Sequence, residues 1–383
     1  MKLALLTTDN RQEYHQYDKT APWFGTAPEA LLQGFDLLKQ EIEVHVVSCT
    51  QRPMESPEKL SDNIWFHSLH VPKIGWLRTG YQGCIRAFRA KIKEIQPDLV
   101  HGQGTERDCA LGAIFSGCPN VVTIHGNMAE LSRHLKAFPG TALWLAGQLE
   151  NLTLPATRGV LCNSAYTESL VSPRNRHTWR VPNPLRLPFF EPIPGHPPGD
   201  RPHLVNVGVI SPRKRQVEIL ELFKRLFSCG VACRIEFIGA APVDDPYARK
   251  FLKAMEEATM EGYAVYSGLK ETGSLIATFD LADGCIHFPS EEAFGLIVAE
   301  SLARNLKFFG SDLGGITDIA RSVDGAELFA TDDWTALEET LLQWIQKGCT
   351  RPEKAHREMA TRYHPRIIAE RHLEIYREVL SRP

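Results

Sequence analysis

Short apolar runs alternate with stretches of helical periodicity along the chain. Residues 3–6, 44–47, 98–100, 120–124 and 159–162 are short apolar runs of the kind that form buried strands. Between them, residues 28–39 place Ala30, Leu31, Gly34, Phe35 and Leu38 on one helical face, and 83–95 and 142–152 also predict helices. This alternation predicts a parallel sheet covered by helices on both faces.

The pattern breaks between residues 181 and 202, where eight prolines fall within 22 residues. Proline lacks the amide donor and fixes its φ, so this stretch is neither helix interior nor central strand. It predicts a stiff linker. The alternation then restarts. Strands are expected at 204–207, 234–238, 264–267, 284–288 and 307–310. Helices are expected at 216–228, 246–260, 272–279, 293–303, 316–321 and 335–346. The expected organisation is α/β, with two Rossmann-like doubly wound domains at 1–182 and 203–365, a linker at 183–202, and a closing helix at 366–383 that returns towards the first domain.

Composition narrows the class. The chain has 383 residues, 43% hydrophobic and 23% charged, enough apolar material for two cores. Its net charge of −3 argues against nucleic acid as a partner. Residues 1–182 carry 19 Lys and Arg against 17 Asp and Glu, or +2, which leaves −5 for the remainder. Nine scattered cysteines without a C-x-x-C argue against a disulfide framework or zinc ribbon and fit a reducing cytoplasm. The first apolar run is too short for a signal peptide, and no apolar stretch reaches the length of a membrane span.

Ligands of open α/β sheets bind beyond the carboxyl ends of the strands, so the chemistry is sought there. After strand 284–288 come Glu292, Phe294, Gly295, Leu296 and Glu300 at an expected helix start, with the two glutamates eight residues apart. Free amides of a first helical turn suit phosphate, and carboxylates accept sugar hydroxyls. A helix-capping Glu292 and a solvated Glu300 are the plainer alternative. After strand 204–207, Arg213, Lys214 and Arg215 crowd a helix start, where the macrodipole disfavours cations. A bound anion would offset that cost; a solvated loop is the alternative. Asp312-Leu-Gly-Gly-Ile and His125-Gly126 follow two further strands, and each also reads as ordinary turn or structural histidine. No G-x-G-x-x-G follows a strand, which disfavours a dinucleotide dehydrogenase.

Together these segments resemble the family-four retaining glycosyltransferases of the GT-B fold, in which two Rossmann-like domains face each other across a cleft. Glu292-Ala-Phe-Gly-Leu-Ile-Val-Ala-Glu300 matches the family's E-x7-E signature, preceded by Ala282-Asp283 and Pro289-Ser290. Arg213-Lys214, His125-Gly126, Pro182-Asn183 and the segment from His364-Pro365 to Tyr376 are similar to further family elements. Asn305 stands where the family usually has Gly, Val209 where many members have Arg, and Phe24-Gly25 where Gly-Gly is usual.

The resemblance implies transfer of a sugar from a nucleotide-diphosphate donor, UDP or GDP, to an acceptor hydroxyl with retention, on the front face of the sugar and without a metal. Arg213 and Lys214 would neutralise the diphosphate, and the amides of Phe294, Gly295 and Leu296 would add donors. Glu300 would hold the ribose, Glu292 the donor sugar, and His125 would reach the sugar from the first domain. Gly25 would contact the donor, and the segment with Ser267 and Leu269 would grip the base. No other cofactor is implied. The acceptor is a sugar, a lipid-linked molecule or a small molecule. A GT-B epimerase and a non-catalytic sugar-nucleotide-binding protein are the alternatives.

Residues 73–93 hold six cations and no acid, interleaved with Trp76, Leu77, Tyr81, Ile85 and Phe88. This stretch reads either as a helix packed on the sheet or as a weak peripheral contact at the inner membrane face. His67 and His70 lack a third partner for a metal and read as solvated.

Overall fold

The computed structural model describes residues 1–196 and 199–382. It divides into two units, Met1–Arg186 with the chain from Tyr363 onward, and Leu187–Arg362. The first contains an eight-stranded sheet in the order β3-β4-β2-β1-β5-β6-β7-β8. Its strands are β1 (Lys2–Leu6), β2 (Glu43–Thr50), β3 (Lys59–Ser61), β4 (Ile64–His70), β5 (Leu99–Gln103), β6 (Asn120–Ile124), β7 (Val160–Cys162) and β8 (Thr178–Arg180). All neighbours pair in parallel except β3 with β4. Alternate residues of β1 feed two cores. Leu3 and Leu5 pack with the helix Thr26–Asp36 and the closing helix Pro365–Ser381, whereas Ala4 and Leu6 pack with the helices Gln82–Ile95 and Asp108–Ile114. Each fully buried Leu or Phe contributes about 1.5–3 kcal/mol. The closing helix starts with Pro365 in its first turn and buries Ile368, Ala369, Leu373, Tyr376 and Val379.

The second unit contains a six-stranded, wholly parallel sheet in the order β11-β10-β9-β12-β13-β14. Its strands are β9 (His203–Val207), β10 (Arg234–Ile238), β11 (Ala264–Tyr266), β12 (Gly284–His287), β13 (Lys307–Ser311) and β14 (Ala326–Phe329). The proline-rich segment belongs to this unit from Leu187. Phe189 is buried, and the buried Arg304 side chain donates to the carbonyl of Glu191 at 2.6 Å. Pro197 and Pro198 of the expected linker lie outside the described residues, as does Pro383 of the closing helix. Asn305 adopts φ 55, so the family's usual glycine is replaced by a residue that tolerates the left-handed region.

Candidate functional site

The second sheet reverses direction between β9 and β12. From β9 the chain runs outward to β10 and β11; from β12 it runs the other way to β13 and β14. Such a reversal opens a crevice at the carboxyl ends of its two central strands. The loops leaving those strands meet there: the Ser290 amide donates to the Arg213 carbonyl at 2.9 Å. This juxtaposition brings Arg213, Lys214 and Glu292 together. The Lys214 ammonium contacts the Glu292 carboxylate directly. Arg213 lies 3.8 Å from Glu292 and donates to the Glu291 carbonyl at 2.9 Å.

Glu292 is not on the helix. The helix runs Leu296–Ala303, and the expected start at 293 is displaced because Gly295 takes φ 91 at the cap, which no β-carbon residue adopts readily. Glu292 therefore projects from the loop, while Glu300 sits buried in the helix. Gly315 is required by packing: a β-carbon there would lie 2.6 Å from the Ala293 carbonyl oxygen, and its amide donates to the Glu292 carbonyl at 3.1 Å. The helix Gly314–Ala320 begins two residues before the expected start, and Asp312 ahead of it pairs with Arg321 at 2.9 Å.

The structure adds a group that pattern reading passed over. His287 ends β12 fully buried, and its Nε2 lies 3.1 Å from the Glu292 carboxylate. Burial, reinforced by the Lys214 charge, pushes its pKa down to about 4, so the ring is neutral at pH 7. Nε2–H donates to Glu292 and leaves Nδ1 buried without a partner. Burial opposes the charge on Glu292, but Lys214, the His287 hydrogen bond and Arg213 outweigh it and hold the carboxyl well below the usual range. Burial draws the Lys214 pKa down despite the neighbouring Glu292. In the sequence His287 shows only as a polar residue inside the expected apolar strand 284–288.

The remaining expected residues are distributed as follows. The Ser267 hydroxyl is committed to Glu236 at 2.5 Å, alongside Lys270 at 2.5 Å and His203 at 3.3 Å. Burial opposes ionisation of Glu236, yet these partners bring its pKa down to about 2. The Gly268 carbonyl accepts from Gly239, whereas Leu269 is 65% exposed. Gly25 and His125 belong to the first unit. Gly25 caps the helix Thr26–Asp36 with an ordinary φ of −62. The loop before it is anchored by the fully buried Arg11, which pairs with Asp9 at 2.6 Å and donates to the carbonyls of Lys19 and Thr20.

His125 follows β6 and heads a buried polar chain. Its Nε2 donates to Gln103 Oε1 at 2.8 Å; Gln103 reaches His101 at 3.2 Å; His101 contacts Thr123 at 2.7 Å and Tyr376 of the closing helix at 2.6 Å. Burial lowers the His125 pKa to about 4. His67 is not solvated: it lies half-buried on β4, 2.9 Å from His45, and burial pushes its pKa down to about 4. His70 is exposed.

In the basic stretch, the helix Gln82–Ile95 turns Cys84, Ile85, Phe88, Ile92 and Ile95 inward. Trp76 and Tyr81 are buried too, so the aromatics expected at a membrane surface are core residues, and only Ile74 and Leu77 protrude. No helix among the described residues is long and apolar enough to cross a membrane.

Two family models match the chain: Glycosyltransferase Family 4 over residues 36–186 and Glycosyl transferases group 1 over residues 191–362. No curated protein matches it by sequence. Among solved structures, it is similar to a sucrose-phosphate synthase from Thermosynechococcus elongatus, with 16% identity, a TM-score of 0.77, and 100% of this chain and 99% of that one covered. Anabaena HepE in complex with UDP-glucose aligns at 15% identity and TM-score 0.69, covering 99% of this chain and all of the other (100%). An E. coli trehalose-6-phosphate synthase bound with UDP-2-fluoro glucose aligns at 10% identity and TM-score 0.72, with 100% of both chains covered. With consecutive models matching most of residues 36–362 and two parallel-sheet units shared with these enzymes, the chain belongs to the family-four, group 1 glycosyltransferases of the GT-B fold.

Proposed function

We propose that this glycosyltransferase moves a sugar, with retention and without a metal ion, from a nucleotide-diphosphate donor to an acceptor hydroxyl. The observation that carries this reading is the cluster of Arg213, Lys214, Glu292 and His287 at the reversal point of the second sheet. The second unit binds the donor, and the first, at 1–182, binds the acceptor. Glu292 neutralises Lys214. Donor binding exchanges that partner: the diphosphate takes the two cations, and Glu292 turns to the sugar hydroxyls. His287 keeps Glu292 aimed while this happens. Cations held in place stabilise the charge that grows on the leaving diphosphate. The phosphate oxygen itself accepts the proton of the attacking hydroxyl on the same face of the sugar, so no protein base is needed. Glu300 holds the ribose, the Phe294–Leu296 backbone lines the phosphates, and the Ser267–Leu269 backbone and the Leu269 side chain meet the base. Gly25 and His125 would also contact the donor, as the family resemblance implies.

UDP- and GDP-sugars are the donor candidates, and HepE in complex with UDP-glucose favours trying UDP first. Thermal-shift titration with UDP-, GDP-, ADP- and dTDP-sugars tests the reading. A ligand at 100 times its dissociation constant adds about 2.7 kcal/mol of stability. One base should stand out, and a uniform absence of shift refutes donor binding. Release of nucleoside diphosphate on adding an acceptor separates transfer from epimerisation or passive binding.

A further inference from the structure

A second cluster of chemically capable side chains lies in the first unit, apart from the donor-binding residues. Cys49 near the end of β2, Cys84 in the first turn of the helix Gln82–Ile95, and Asp108 just after β5 converge so that one ligand atom from each lies within 4.8 Å of the others. They are 5%, 0% and 3% exposed. Their surroundings are apolar, with Val47, Val71, Tyr81 and Phe88 in the same core cluster. Among the described residues no cation pairs with the Asp108 carboxylate within salt-bridge distance. The two thiol sulfurs lie within 4.8 Å of it instead. A carboxylate buried against weak thiol donors is an expensive way to fill an apolar core.

We propose that Cys49, Cys84 and Asp108 form a binding site for a thiophilic divalent cation of the zinc type. Zinc–sulfur bonds of about 2.3 Å and zinc–oxygen bonds of about 2.0–2.2 Å set tetrahedral ligand atoms roughly 3.5–3.8 Å apart, inside the 4.8 Å that bounds the observed group. Two sulfur ligands select a soft ion over magnesium or calcium. On binding, each thiol loses its proton to solvent. The two thiolates and the carboxylate are then balanced by the ion and by the Arg107 charge, which already acts on Asp108. No fourth His, Cys, Asp or Glu joins the group among the described residues, so water completes the tetrahedron. The ligands come from three separate elements, so the ion staples the end of β2 and two helices together. Its role is structural, and it takes no part in sugar transfer.

The test is cobalt(II) titration of the full chain after removal of bound metal by chelation. The expected result is a thiolate-to-cobalt charge-transfer band with tetrahedral d–d bands, saturating at one equivalent and bleached by zinc but not magnesium. The double variant C49S/C84S should lose the band, and Asp108→Asn should weaken binding at least tenfold. Cys229→Ser, at an exposed cysteine outside the group, should leave it unchanged. Zinc should raise the melting temperature of the wild type and not of C49S/C84S. A band undiminished in the double variant assigns the metal elsewhere and overturns the proposal. The absence of a saturating band in the wild-type protein overturns it alone, whether or not the variants fold.

Discussion

Replacing Glu292 by Gln removes one charge and almost no volume. This carboxylate touches Lys214, receives His287 at 3.1 Å and faces Arg213 at 3.8 Å. The Lys214 and Arg213 side chains are only 13% and 31% exposed, so both lose a counter-charge in a largely dry site. Breaking a buried ion pair costs about 3–5 kcal/mol when the orphaned charge must stay. Both side chains keep part of their surface in water, so the orphaned charges stay partly solvated. The expected stability loss is therefore nearer the roughly 1–3 kcal/mol of an unsatisfied polar group. For transfer, the lost interaction is a charge-assisted hydrogen bond to the sugar, about 1.5–3 kcal/mol, or roughly a 10- to 150-fold fall in kcat/KM. Affinity for the free nucleoside diphosphate should hold or rise, because the competing anion beside Lys214 is gone. The assay pairs calorimetric binding of the nucleoside diphosphate with initial transfer rates at matched temperature, after a urea denaturation curve confirms folding. Wild-type turnover in the variant, or nucleoside diphosphate affinity falling in step with turnover, refutes the assigned division of labour between Glu292 and the two cations.

Arg213→Ala combined with Lys214→Ala should weaken binding of nucleoside diphosphate and intact donor while sparing the nucleoside; equal loss for all three removes the diphosphate role. His287 and His372 are both buried with pKa values of about 4, below the ordinary 6.5. The unfolded chain therefore takes up their protons first. Their contribution is fully present above about pH 6.5 and is lost progressively as pH falls towards 4, by up to about 1.4 kcal/mol per pH unit for each. Urea midpoints measured at pH 7, 6 and 5 should fall in that order, and a flat profile contradicts the burial argument. At the membrane, Ile74 and Leu77 with Lys73 and Arg78 beside them should give weak binding to anionic vesicles at low salt, lost at high salt and in I74S/L77S. No co-sedimentation at low salt rules out a peripheral anchor and directs the search to soluble acceptors.

Much of the fold is legible in the sequence because it is set by local period. Buried parallel strands such as β6 and β12 are nearly continuous apolar runs, and helices such as Gln216–Ser228 keep an apolar stripe. Where the period is short or interrupted, it fails. β3 (Lys59-Leu-Ser) and β8 (Thr178-Trp-Arg) each hold a single apolar residue, and β4 breaks its apolar run with His67, Ser68 and His70. These strands form because a neighbouring edge offers hydrogen bonds, which no local window contains.

The candidate site divides in the same way. Residue types and position after strands make Arg213, Lys214, Glu292 and Glu300 candidates, and the resemblance of Glu292–Glu300 to the E-x7-E signature singles them out. Only the tertiary structure decides that Glu292 leaves the helix, that Ser267 is spent on Glu236, and that His287 supports Glu292. It alone also brings Cys49, Cys84 and Asp108 together from positions up to 59 residues apart in the chain. The physical reason is range. Periodicity reports the energy of placing one residue against a generic apolar or aqueous surface, and that is written locally. Hydrogen bonds and ion pairs act over about 3 Å and demand a particular partner, so their pairing exists only once the sheet order has brought distant loops to one edge.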